Sequence, residues 1–93
     1  MIDFLLHWYL AQCDGDWEHR YGIDIRTLDN PGWALKVDLV GTSLEGRRLE
    51  RTVTERGPND WFQLWSDGST FEAACGPLNL PEAIDGFERF AST

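Results

Sequence analysis

Residues 21–40 read YGIDIRTLDNPGWALKVDLV, and this stretch decides the fold class. Tyr21, Ile23 and Ile25 alternate with Asp24 and Arg26, the period-two pattern of a strand with one wet face. Beyond the turn Asp29-Asn30-Pro31-Gly32, Trp33, Leu35, Val37 and Leu39 share one face while Lys36 and Asp38 take the other. Pro31 presets its own φ, Gly32 offers a position that tolerates φ > 0, and the Asp29 side chain can bond the turn backbone. Two alternating runs joined by such a turn make an antiparallel hairpin, Tyr21 to Leu28 against Trp33 to Val40.

Upstream, residues 2–13 carry Ile2, Leu5, Leu6, Tyr9, Leu10 and Cys13 at the three-and-four spacing of a helix face. Phe4 and Trp8 widen that face, so little of this helix is expected to meet water, and a sheet is its natural cover. Asp14-Gly15-Asp16 ends it, with Gly15 suited to a left-handed cap.

Downstream, Gly41 to Gly46 is a loop bounded by glycines. Arg47 to Arg56 reads as a charged edge strand with Leu49 and Val53 as its core candidates. Gly57-Pro58-Asn59-Asp60 turns the chain into WFQLWS at residues 61–66. Asp67-Gly68 is a tight hairpin signal, and Ser69 to Cys75 can add a short fifth strand. Gly76-Pro77 stops that strand. A closing helix then starts near Asn79 as N-cap and Pro81 in the first turn, with Ala83, Ile84, Phe87 and Phe90 or Ala91 as its apolar stripe. Gly86 weakens this helix by about 1 kcal/mol relative to alanine. The expected architecture is α+β: an N-terminal helix, a four- to five-stranded antiparallel meander sheet and a C-terminal helix packed on it, in a single domain spanning 1–93.

Sixteen acidic against eight basic residues give a net charge of -8, which argues against a basic nucleic-acid footprint. Such a surface suits a basic partner, although solubility alone accounts for acidity equally well. The opening MIDFLLHWYL places Asp3 where a secretory signal carries Lys or Arg, and its apolar run is too short for a membrane span. Cys13 and Cys75 form no CxxC site. A reducing cytoplasm with free thiols is the expected setting, with neither nucleic acid nor membrane as partner.

Trp17-Glu18-His19 invites an acid–base or metal reading, with Asp16 and Cys13 within reach. No second His/Cys pair at ligand spacing supports it, because His7 is the one other histidine and lies on the first helix, four residues after Asp3. The bland account has Trp17 plugging the helix–sheet junction while Glu18 and His19 bond local backbone. Ser43, Ser66 and Ser69 sit in turns without a nucleophile elbow, and Gly41, Gly46 and Gly57 are isolated turn glycines. The sequence thus assigns no catalytic residue, metal or cofactor. A small metal-binding or hydrolytic domain on Asp16, Glu18 and His19 remains the runner-up.

Five tryptophans in 93 residues exceed what a core of this size needs. Trp61 and Trp65 share one face of WFQLWS, with Phe62 and Leu64 on the other, so one face should meet the helices and the other a partner or solvent. The candidate partner-binding residues are Asp14, Asp16, Trp17, Glu18, His19, Asp24, Trp33 and Trp61. A homodimer through strand 47–56 or the Trp61 strand is a third reading.

A helix carrying Trp8-Tyr9, then CDGDWEHRYGI at 13–23 and TLDNPGW at 27–33, resembles the immunity protein 53 family. The likeness continues through DLVGTSLEG at 38–46, Asp60-Trp61 and CGPLNLPEAIDGF at 75–87, so it spans nearly the whole chain. These proteins accompany toxins in bacterial polymorphic toxin systems. The resemblance implies a cytoplasmic α+β antitoxin that binds its cognate toxin inside the producing cell and blocks it by surface complementarity. Were the toxin a basic nuclease, Asp14, Asp16, Glu18 and Asp24 would face its arginines and lysines. The family motif covers Asp16, Trp17, Glu18 and His19 together with Asp29, Asn30, Pro31, Gly32 and Trp33.

Overall fold

The hairpin expected from residues 21–40 opens a five-stranded antiparallel sheet in a computed structural model that describes residues 2–93. The chain runs α1 (Ile2–Gln12), α2 (Trp17–Arg20), β1 (Ile23–Leu28), β2 (Gly32–Asp38), β3 (Arg48–Gly57), β4 (Asp60–Asp67), β5 (Thr70–Cys75) and α3 (Leu80–Ser92). The expected α+β class, with helices at both ends of an antiparallel sheet, is what the chain adopts.

Within that class the strands do not follow simple chain order. The sheet reads β1-β2-β5-β4-β3, so the connection after β2 crosses to the far edge and β5 returns to pair with β2. A meander would have set β3 beside β2. The reason lies in β3 itself: its charged sequence suits an edge, whereas β5 carries Phe71, Ala73 and Cys75, all buried in the sheet interior.

One face of the sheet holds the core. Leu35 and Val37 of β2 lie beside Ala73 and Phe71 of β5, and Leu64 of β4 follows in register. Over them lies α3, burying Ala83, Ile84, Phe87 and Phe90. Phe87 is the hub, with ring centres at 5.2 Å from Phe71, 5.1 Å from Trp8 and 6.1 Å from Phe4. Gly86 is what lets α3 come this close: a Cβ there would lie 2.5 Å from Leu64 Cδ1.

Three local expectations are corrected. The first helix is not largely covered. Only Leu5 of α1 is buried, because α3 already occupies the sheet and α1 packs beside it through Phe4 and Trp8, leaving Ile2, Leu6, Tyr9 and Leu10 exposed. Val53 is not a core residue: β3 carries an irregularity between Leu49 and Thr52, which puts Leu49 and Thr52 on the core side and turns Val53 outward. Gly32 does not adopt positive φ. It is the first residue of β2, where any Cβ would run into the Cys75 carbonyl oxygen of the neighbouring strand. The positive φ values fall at Gly15, Gly41, Gly46 and Gly68, the turn glycines of the loops.

Candidate functional site

The candidate residues divide into two groups at opposite ends of the sheet. Asp14, Asp16, Trp17, Glu18 and His19 gather on α2 and the loop before it, next to the end of β2. Trp33 and Trp61 begin β2 and β4 at the other end, about 20 Å away at roughly 3.3 Å per strand residue. Asp24 lies between, on β1. The fold therefore does not bring the eight together as one pocket.

At the α2 end, two carboxylates organise the backbone. Asp14 accepts from the Asp16 and Trp17 N–H groups, both at 3.0 Å, while Glu18 reaches back to the N–H groups of Asp14 at 2.9 Å and Gly15 at 2.8 Å. This reciprocal arrangement is a capping device for a very short helix. The Trp17 N–H, followed by that of Asp16, holds the Asp14 carboxyl below its ordinary range. Glu18 is lowered by its own N–H first, then by those of Asp14 and Gly15, with His19 adding attraction. Asp16 pairs with Arg20 at 3.1 Å in full solvent. Among the described residues no group of three His, Cys, Asp or Glu side chains is arranged to hold a metal ion.

Trp17 itself is 5% exposed, and its indole N–H donates to the Val40 carbonyl at 2.9 Å. Trp8, Tyr9 and Tyr21 surround it. It fills the junction between helix and sheet and presents almost no surface outward.

At the other end, Trp33 is half-buried and donates its indole N–H to the Pro77 carbonyl at 3.1 Å. Trp61 stands over a hollow shared with Glu55, Arg56, Gly57 and Pro58. Its main chain is tied down on both sides: its N–H donates to Asn79 Oδ1 at 3.2 Å, and its carbonyl accepts from Gly76 at 2.8 Å. Beside it Arg56 forks onto Asp60 and reaches Glu82 at 2.6 Å, while buried Asn79 donates to both carboxylates. The Arg56 guanidinium, then Asn79, pulls both acids below their usual range. Asn79 thus sits at the N-cap of α3, but its side chain fastens the β3–β4 hairpin instead of capping the helix.

The sheet face opposite the helices is bare. Strand alternation puts Trp61, Gln63 and Trp65 of β4 there, with Ala34 and Lys36 of β2, Glu72 and Ala74 of β5, and Asp24, Arg26 and Leu28 of β1. Ala34 lies directly across from Ala74, and these small side chains leave a trough of about 210 Å³ flanked by Trp65, Leu28 and Glu72. Arg51 lies 3.9 Å over the Trp65 ring. The split of WFQLWS into a core face and an outer face is as expected, yet Trp65 belongs with Trp61 and was not among the candidates. Its signal was present in the i, i+4 spacing that puts the two rings on one side of a strand. The second exposed apolar surface, on α1, could not be found from a pattern that read as wanting cover.

Comparison with known proteins adds one positive finding. The family model described as Immunity protein 53 matches residues 2–92. No curated protein matches the chain, and no solved structure does.

Proposed function

Because the chain belongs to the immunity protein 53 family, and so has an immunity role, we propose that it works in the bacterial cytoplasm by binding the cognate toxin of a polymorphic toxin system and masking that toxin's working surface. The observation that carries this reading is the family match over residues 2–92, joined to a surface that offers shape and charge instead of a reactive centre. The bare sheet face supplies the apolar part of the contact through Trp61 and Trp65, half-buried rings of the kind that anchor protein interfaces. Asp24 on the same face, with Asp14, Asp16, Glu18 and His19 at the α2 end, forms an acidic margin suited to a basic toxin such as a nuclease. Trp33, on the core-side face at the far end of β2, lies outside this footprint, and Trp17 holds α2 in place at its other end. In this reading the protein turns over no substrate: Asp14 and Glu18 are engaged by backbone donors and Asp16 by Arg20.

Coexpression with the toxin encoded by the neighbouring gene tests the proposal. Copurification of the two proteins and survival of the toxin-expressing cells are the expected results. Trp65→Ala and Trp61→Ala should each weaken the complex by about 30-fold, the scale of an interface anchor, while leaving the fold intact. Absence of both copurification and protection would overturn the reading.

A further inference from the structure

The free edge of β1 exposes a pattern that is complementary to itself. β1 pairs with β2 in an unbroken register from Ile23↔Val37 to Leu28↔Gly32, and its other side has no strand neighbour among the described residues. The Gly22 carbonyl accepts from the Asp38 N–H at 3.0 Å. Antiparallel alternation then turns the main-chain groups of Asp24, Arg26 and Leu28 toward β2 and those of Ile23, Ile25 and Thr27 outward. The segment has neither a proline nor a bulge to blunt it.

We propose that a second copy of this chain docks on this edge, β1 against β1, antiparallel about a two-fold axis at Ile25. In that register Ile25 faces Ile25 and Ile23 faces Thr27, and the outward N–H and carbonyl groups of these three residues exchange hydrogen bonds. Asp24 of each copy falls directly opposite Arg26 of the other, in the closely spaced pairs where side chains interact most. Within one chain these two side chains make only a loose, exposed contact at 3.7 Å. The charges also select the register. Sliding to either neighbouring in-phase register sets Asp24 against Asp24 or Arg26 against Arg26.

The core-side flank of the same edge supplies apolar area. Ile2, Leu6, Tyr9 and Leu10 form one stripe of α1, and Ile2, Leu6 and Tyr9 border a groove of about 340 Å³ against Ile23 and Ile25. Leu6 is 57% exposed, Leu10 67% and Ile25 40%. A two-fold axis at Ile25 brings the two α1 stripes toward each other above the joined strands, as an isologous interface requires. The β1–β1 pairing would join the two sheets into one of ten strands, commit Asp24 to Arg26 of the other copy, and leave the Trp61–Trp65 face and the α2 carboxylates open for a toxin.

Light scattering and sedimentation of the full chain over a micromolar concentration series give the test. The wild-type protein should be a dimer. Asp24→Arg or Arg26→Asp alone sets two like-charged pairs in the interface and should weaken it by roughly tenfold or more. The double variant Asp24→Arg/Arg26→Asp exchanges the partners and should restore the dimer. Leu6→Asp, at an exposed position, should give a folded monomer by circular dichroism. A wild-type monomer at every concentration would overturn the proposal, including the case in which a toxin strand takes this edge. A dimer indifferent to both single reversals would overturn it as well, as would a double variant that stays monomeric while folded.

Discussion

The Trp17 indole N–H and the Val40 carbonyl meet at 2.9 Å, joining two points 23 residues apart in the chain. This bond holds the four-residue α2 onto the connection that follows β2. Trp17→Phe retains much of the ring packing but leaves the carbonyl without its partner, so it should cost about 1–2 kcal/mol. Trp17→Ala should cost about 3–5 kcal/mol, as for other large buried rings. Urea unfolding of the two variants measures both. A Trp17→Phe protein as stable as wild type would show that the hydrogen bond contributes nothing.

Two glycines should respond to alanine in a way that helix and strand propensities do not foresee. Gly32→Ala drives a methyl into the Cys75 carbonyl, and a main-chain oxygen in the middle of a sheet cannot rotate away. The expected loss is roughly 3 kcal/mol, the upper range for overpacking. Gly86→Ala meets the flexible end of Leu64 instead, at 2.5 Å. Its gain in helix propensity of about 1 kcal/mol should be outweighed by the crowding, giving a net loss of about 1 kcal/mol. Thermal melts of both variants would decide, and a stabilised Gly86→Ala would show that Leu64 yields freely.

The element types were legible because each carries a period: three-and-four in α1 and α3, two in β1, β2 and β4. What those periods could not convey is which strand lies beside which. Charge on residues 47–56 pointed to an edge, yet nothing local says that β5 must enter between β2 and β4. Unbroken alternation from Leu49 would turn Val53 inward, and one irregularity in β3 reverses the inside–outside pattern beyond it. The exposure of the apolar α1 has a different cause: hydrophobicity shows that a surface wants cover, and only packing shows that α3 has already taken the place. At the site, the motif around Trp17 was visible as a cluster, but its role in local capping needed the hydrogen bonds of Asp14 and Glu18.

Acid should loosen both ends of the sheet. Asp60 and Glu82 are lowered by Arg56 and then by Asn79, Asp14 and Glu18 by backbone donors, and Asp67 by the Thr70 and Ser69 N–H groups. A carboxyl whose folded pKa is depressed contributes stability that is present above its unfolded value and disappears as pH falls through the folded one. The urea midpoint should therefore hold level from neutrality to about pH 5 and decline below about pH 4, the ordinary carboxylate range. Arg56→Gln should make that decline shallower. An unchanged acid limb in this variant would contradict the assigned cause.

Asn79 is 4% exposed and joins Asp60, Glu82 and the Trp61 main chain. Asn79→Ala leaves the Trp61 N–H without its acceptor and should cost about 1–3 kcal/mol. Asn79→Asp is expected to be worse at neutral pH, since it places a third carboxylate beside two others, and to recover relative to alanine in acid. Denaturation at two pH values separates the cases; equal losses at both would mean that charge plays no part.

The two free cysteines should differ in reactivity. Cys75 is 1% exposed, and burial pushes its thiol above the ordinary range. Cys13 is half-buried at the end of α1 and its thiol lies 3.3 Å from the Tyr9 carbonyl. A disulfide-exchange reagent should titrate one thiol in the native protein and both in denaturant. Two equally fast reactions without denaturant would show that the central strand opens readily.

The return of β5 between β2 and β4 has a consequence for how the protein is made. During synthesis the first hairpin emerges from the ribosome with the inner margin of β2 unpaired, and it stays so until the chain has been extended through Cys75. The β3–β4 hairpin can assemble meanwhile as a separate unit, because its partners are close in sequence. The two halves are stitched together only by the last strand, and α3 then seals the seam. A chain of this topology closes its sheet late, so the slow phase of refolding should track the β2–β5 junction, where strand pairing spans the greatest stretch of chain.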